Sequence, residues 1–389
     1  MFGESLMSQV KSIPKKFEIP LLDLKAQQRT VGKAVQKAIA GVLKHQRFIL
    51  GPEVAEFEIA MARRLKVRHT VGCASGSDAL LLSLMALEFC PGDEVITTPY
   101  TFFSTVSSIT RLGLRPVFVD VCPDTFQMRV DDLEQKLTKR TRAILPVHLF
   151  GLCTEMDPLL DVARKNNLAV IEDAAQAILA EDRGRQAGTM GQLGCLSFFP
   201  TKNLGCDGDG GMMVTNDDTL AEKLRILRTH GSYPEYFHRW VGINSRLDTV
   251  QAAILLAKLP RLDAWTKARI RNAQNYRKLF KAARLQRQVC LPQEPSGRKH
   301  VYNQFVICAE RRDELKQFLT EKRIGCKIYY PLPLHLQECF RFLGYQKGDF
   351  PVAEKLAATS LALPIYPELT LMQQKRVVET IAEFYSRDE

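Results

Sequence analysis

Between residues 68 and 216, short and nearly continuous apolar runs alternate with longer amphipathic stretches. The runs predict strands at 69–74, 94–98, 116–120, 143–150, 169–173, 194–199 and 211–215. Several are almost unbroken in Val, Ile, Leu and Phe, as strands buried on both faces of a parallel sheet are. The stretches between them, at 78–89, 104–112, 130–137 and 157–166, place apolar residues at helical spacing. Strand–helix alternation predicts an α/β fold, with a large, mostly parallel sheet flanked by helices.

The pattern changes after residue 250. A strongly apolar helix is expected at 250–259 and a basic amphipathic one at 262–285. Pro, Ser and Gly mark a loop at 287–300. A smaller α/β unit follows, with strands at 302–308 and 326–330, a helix at 312–322 and a terminal helix at 371–385. The expected division is an N-terminal extension over 1–18, a large domain over 19–260, and a connecting helix with a small C-terminal domain over 261–389.

Composition adds little to this. Hydrophobic residues make up 46% and charged residues 25%, ordinary for a globular protein. The net charge of +11 is spread along the chain, without the basic stripe of a nucleic-acid binder. It suits an anionic small substrate. Ten cysteines form no C-x-x-C pair, and Cys73, Cys195 and Cys308 sit in apolar runs. A reducing cytoplasm is expected. No metal site, signal peptide or membrane span is expected.

Four stretches carry candidate chemistry. Ser75-Gly76-Ser77-Asp78 follows a predicted strand and opens a helix, which suits either an ordinary cap or a phosphate held by backbone amides. Asp173 ends an apolar strand within IEDAAQ, where ligands of open α/β sheets gather. It could serve as a metal ligand, a base, a partner for a cationic nitrogen, or a plain helix cap. Lys202 follows another apolar strand and precedes the glycine-rich Gly208-Asp209-Gly210-Gly211. A lysine beside an apolar pocket can lose pKa and attack carbonyls. Gly242-Ile243-Asn244-Ser245-Arg246 leads into a helix and by itself reads as a capping turn. A phosphate cradle, a strand-end acid and a later lysine are what pyridoxal 5′-phosphate (PLP) needs.

With these residues in order, the chain resembles the DegT/DnrJ/EryC1/StrS sugar aminotransferases, a branch of the fold-type-I PLP enzymes. The resemblance runs from about residue 19 to the C-terminus. It is carried by RFILGPEVAEFE (47–58), GDEVITTPYTFFST (92–105), VIEDAAQA (170–177), SFFPTKNLGCDGDGGMMVTND (197–217) and VGINSRLDTVQAAIL (241–255). It implies that Lys202 carries the cofactor as a Schiff base and that Asp173 partners its ring nitrogen. Gln176 would touch the ring hydroxyl side. Gly76, Ser77 and Ser197 would hold the phosphate, and Phe102 would stack on the ring. Asn244 would reach the phosphate from a neighbouring subunit, which implies a homodimer with shared sites.

The resemblance also implies the reaction: an amino group moves from an amino acid, expected to be L-glutamate, to a nucleotide-diphosphate-linked keto-sugar. The 197–211 and 241–259 stretches look closest to enzymes aminating the 3-keto position of UDP-linked N-acetyl sugar acids. Tyr329, Tyr330 and His335 are candidate substrate contacts, with packing between the domains as the alternative. A side branch that replaces the lysine with histidine dehydrates sugars, and Lys202 speaks against it. A PLP lyase or dehydratase, or a DNA-binding regulator, is the alternative function. One departure is Ile178-Leu179, where many relatives carry His-Gly, which predicts a more apolar wall behind the cofactor.

Overall fold

The computed structural model describes residues 17–388, so the expected 1–18 extension lies almost wholly outside the described residues. Two helices come first: α1 (Leu24–His45), capped by the Asp23 side chain on Ala26 N, and α2 (Pro52–Leu65), with proline at its start. There follow β1 (His69–Cys73), α3 (Gly76–Ala86), β2 (Glu94–Thr97), α4 (Phe103–Arg111), β3 (Arg115–Phe118), β4 (Thr141–Ile144), α5 (Met156–Lys165) and β5 (Ala169–Asp173). Two short strands, β6 (Glu181–Asp182) and β7 (Arg185–Gln186), precede β8 (Leu193–Ser197) and β9 (Gly211–Thr215). Then come α6 (Asp218–Leu227), α7 (Thr249–Lys258) and α8 (Leu262–Ala282).

Seven strands form one sheet in the order β1-β9-β8-β5-β4-β2-β3. The pairs from β3 through β8 are parallel, and β9 runs antiparallel to both its neighbours. The carboxyl ends of β1, β5 and β8 therefore open on one edge, where parallel sheets place their ligands. Helix α3 lies against α4, β8 and β9, and α1 and α2 pack on α7.

The chain ends with β10 (Val289–Cys290), β11 (Arg298–Lys299), β12 (Phe305–Ala309), α9 (Arg312–Glu321), α10 (Pro351–Thr359), β13 (Ser360–Leu363) and α11 (Leu371–Tyr385). A three-stranded antiparallel sheet, β10-β12-β13, shares a core with α8, α9 and α11. Ile19 and Leu22, expected with the large domain, pack into this second core, where Ile19 bridges Ile324. Phe350, Ala353 and Leu356 of the C-terminal part join the core of the large sheet instead.

Three expectations need correction. The strand at 143–150 is broken after Ile144, because Pro146 has no N–H to give the ladder, and it resumes only as a bridge between Val147 and Asp173. Its apolar continuation, Leu149 and Phe150, fills the core as a turn. The helix at 130–137 is two 3-10 turns, Val130–Asp132 and Glu134–Lys136. Val130 and Leu133 face inward three apart, a spacing that a three-residue turn serves as well as an α-helix. The strand at 326–330 is a single bridge, Lys327 to Ala362, after which Tyr330 N donates to Tyr100 Oη at 3.2 Å. β13 and the short strands inside 287–300 were not anticipated.

The start of β9 presses against the turn before α3. A Cβ on Gly211 would lie 2.2 Å from the carbonyl carbon and oxygen of Ser75. Gly211→Ala is expected to cost about 1–3 kcal/mol, the range of overpacked sites. Urea unfolding measures it, and an unchanged midpoint would show that the Ser75 turn can give way.

Candidate active site

The first part of the site is built by α3. Ser75 caps the helix, its side chain accepting from Asp78 N at 3.1 Å. Gly76 follows, and a Cβ there would sit 2.6 Å from Ser197 Cβ. Glycine thus lets the end of β8 close on the start of α3, bringing Gly76, Ser77 and Ser197 to one place. Ser77 Oγ meets Ser104 Oγ of α4 at 2.5 Å. Amides at a helix start, ringed by hydroxyls, suit a phosphate.

Asp173 ends β5 and is buried. Its Oδ2 accepts from Thr105 Oγ1 at 2.8 Å and its Oδ1 from Ala175 N at 3.2 Å. Burial holds its carboxyl above the usual range, and those two bonds and the Lys202 charge offset only part of that rise. The preceding Glu172, fully buried, accepts from His148 Nε2 at 2.8 Å and from Gly188, Met190 and Gly191 N. Thr154 N donates to His148 Nδ1, which leaves the ring proton on Nε2, facing Glu172. Among the described residues no group of three or more His, Cys, Asp or Glu side chains could hold a metal ion.

Lys202 lies in the connection from β8 to β9, its N–H donating to Phe199 O at 2.8 Å. Its side chain keeps some exposed area, yet the surrounding protein strips water from its ammonium and lowers the pKa to about 8, against the pull of Asp173. Among the described residues the ammonium has no hydrogen-bond partner. The neighbouring Asn203 is buried, and its amide donates to Val301 O and accepts from Asn303 Nδ2, which anchors the loop.

The remaining predicted residues divide. Gln176 Oε1 accepts from Phe150 N at 2.7 Å, and its Nε2 lies 3.4 Å from Tyr330 Oη. Tyr330 also comes within 6.0 Å of the Phe102 ring, which is half exposed at the start of α4. The structure therefore gathers Gln176, Phe102 and Tyr330. Tyr329 packs beside Tyr330, and its carbonyl accepts from Tyr100 Oη at 2.6 Å. His335 is buried, its Nε2 3.1 Å from Glu354 and its ring against Phe350, so it follows the packing alternative. Ile178 and Leu179 are likewise buried in the core beside Phe57 and Phe198. Asn244 is exposed, with no side-chain hydrogen bond among the described residues.

Sequence reasoning missed Thr105, Ser104 and Tyr100. All three lie in TTPYTFFST, one of the stretches already quoted, but a Thr or Ser near a helix start gives no sign of its partner.

Residues 29–382 match the family model described as the DegT/DnrJ/EryC1/StrS aminotransferase family. The chain belongs to this family. A protein of Geobacillus stearothermophilus named pleiotropic regulatory protein is 48% identical over 94% of this chain and 98% of its own length. A UDP-N-acetyl-3-dehydro-alpha-D-glucosamine 3-aminotransferase of Acidithiobacillus ferrooxidans is 44% identical over 93% of this chain and 97% of its own. The crystal structure of DesV from S. venezuelae, in complex with a ketimine intermediate, has a TM-score of 0.91 at 39% identity. It covers 95% of this chain and 99% of its own.

The cofactor of this aminotransferase is PLP. The residues present fit it. The Gly76 cradle would be filled by a single Cβ, the Lys202 ammonium is without a partner, and each Asp173 oxygen keeps acceptor capacity beyond its one bond. In the cofactor-free protein, Lys202 is expected to be trapped by PLP and borohydride with half-maximal yield near its pKa of about 8. Below that pH the amine is protonated and inert. Peptide mapping across a pH series measures this, and a midpoint near that of solvated lysine would show that the ammonium is not desolvated.

Proposed function

We propose that this aminotransferase moves an amino group from L-glutamate to the keto group of a nucleotide-diphosphate-linked sugar, at the centre made by Lys202 and Asp173. The observation that carries the reading is the desolvated, partnerless Lys202 amine acting electrostatically on a buried Asp173 whose carboxylate is already held from two sides. Bound PLP supplies an aldehyde for amines and a ring that withdraws electrons. Asp173 would keep a proton on the ring nitrogen by charge. Gly76, Ser77 and Ser197 would hold the phosphate, Phe102 would stack on the ring, and Gln176 would touch the ring hydroxyl side. The Lys202 amine would carry a proton from the donor's Cα to the cofactor's carbonyl-derived carbon in the first half of the reaction, and from that carbon to the sugar carbon in the second.

The Acidithiobacillus relative's name supports a UDP-linked sugar with a 3-keto group as acceptor. Tyr330, which lies beside Phe102, Gln176 and Tyr329, would meet it. The exposed Asn244 suits a homodimer in which it reaches the phosphate of the neighbouring subunit. No helix among the described residues is long and apolar enough to cross a membrane. The cytoplasm, where ten thiols stay reduced, is the proposed compartment. A regulatory reading has one point in its favour, the name of the Geobacillus relative. Salt-sensitive retention on DNA would support it.

The first test is the visible absorbance of the PLP-loaded protein. L-Glutamate should bleach its yellow band and release 2-oxoglutarate, one per site. A band that does not respond to L-glutamate rules out that donor. Lys202→Ala should keep the fold and lose turnover. Asp173→Asn should retain cofactor and lose about 10²–10³-fold in kcat, the size seen when a charge-stabilising group is removed. Wild-type turnover by either variant would remove that residue from the mechanism.

A further inference from the structure

The first turn of α4 reaches several parts of the site. Ser104 meets Ser77, Phe102 precedes the helix as its cap residue, and Thr105 donates to Asp173 Oδ2 at 2.8 Å. Thr105 is fully buried and has one hydroxyl proton. An ionised carboxylate has no proton to offer, so the Thr105 proton is committed to Asp173. The 3.0 Å contact between the Thr101 and Thr105 hydroxyls must then run with Thr101 as donor. The result is a directed chain, Thr101 to Thr105 to Asp173, in which each bond polarises the next.

The other carboxylate oxygen accepts from Ala175 N, so the group is gripped from α4 and from its own strand end. With only one grip it would be freer to turn, because an aspartate's χ2 is a broad torsion. Lys202 from the β8–β9 connection, His148 from the turn after β4, Cys195 on β8 and Tyr330 from the C-terminal part also act on Asp173 electrostatically, while Glu172, the preceding residue of the strand, is held by His148. None of these side chains hydrogen-bonds the carboxylate. Thr105 is the side chain that does so among the described residues.

We propose that Thr105 is a positioning residue for transamination: its hydroxyl, oriented by Thr101, keeps the Asp173 carboxylate ionised and fixed in rotation for the cofactor's ring nitrogen. The proposal rests on the role given to Asp173 above. Its sign is definite. A bond to the charged form favours that form, so losing it raises the pH at which Asp173 takes a proton.

The test compares PLP-loaded wild type with Thr105→Val, Thr105→Ser and Thr101→Val. The visible spectrum is titrated towards acid, and kcat and KM for L-glutamate are measured. For Thr105→Val the acid transition should move up by about one pH unit, and kcat should fall about tenfold or more, as when a hydrogen bond to a charged group is lost. KM should change less than about twofold. Thr105→Ser should restore both values, and Thr101→Val should move them the same way by less. A Thr105→Val protein that loses only thermal stability, with its acid transition and kcat unmoved, overturns the proposal. Should Thr105→Val fail to fold, an unmoved transition in Thr101→Val overturns it equally. Normal turnover by Asp173→Asn sinks the role of Asp173 and this inference together. An inactive Asp173→Asn beside a wild-type Thr105→Val sinks the inference alone.

Discussion

A carboxylate buried at the end of a strand is costly unless its charge is answered by hydrogen bonds and an opposite charge. The answers to Asp173 come from several parts of the chain. Thr105 comes from the turn that opens α4, Ala175 from the backbone beyond β5, and the Lys202 charge from the connection between β8 and β9. None of these elements is near another in sequence except through the sheet. The strand order that sets β5 beside β8 therefore also sets the acid near the amine.

Two adjacent acids, Glu172 and Asp173, divide the work because side chains alternate across a strand. Asp173 turns to the side where Thr105 and Lys202 lie. Glu172 spends its oxygens on His148 and on three backbone amides of 188–191, the segment that leads into β8. The strand that carries the acid is thus tied to the approach of the strand that carries the lysine. A shift of one strand relative to the other would break buried charge-assisted bonds. That dependence gives the separation of acid and amine a rigid basis.

Much of the sheet was legible because its strands are apolar on both faces and end in recognisable turns. β5 and β9 begin and end where the pattern predicts, and α11 does too. Two of the misreadings share a cause: an apolar run can leave the ladder and still fill the core. Pro146 breaks the predicted strand at 143–150, and the run ending at Tyr330 bends away to Tyr100 after one bridge. Lys202 and Asp173 stood out in the sequence because each is an unusual residue at the end of an apolar run, and the structure brings them near each other. Thr105 did not, because a threonine in a first helical turn usually serves its own backbone. For His335 the sequence left substrate contact and packing both open, and the structure packs it against Phe350 and Glu354.

The environments of Lys202 and Asp173 constrain each other. Desolvation favours the neutral form of both groups, while each one's charge favours the charged form of the other. Desolvation alone would push both towards their neutral forms. If the ion pair alone acted, the lysine would stay fully protonated and inert as a nucleophile. The balance differs at the two ends because only Asp173 is given hydrogen bonds. Thr105 and Ala175 stabilise its charge, whereas the Lys202 ammonium receives no comparable support and its pKa falls to about 8. An amine with a lowered pKa therefore sits close to a carboxylate whose pKa burial raises, and only the carboxylate has hydrogen bonds that offset part of its shift.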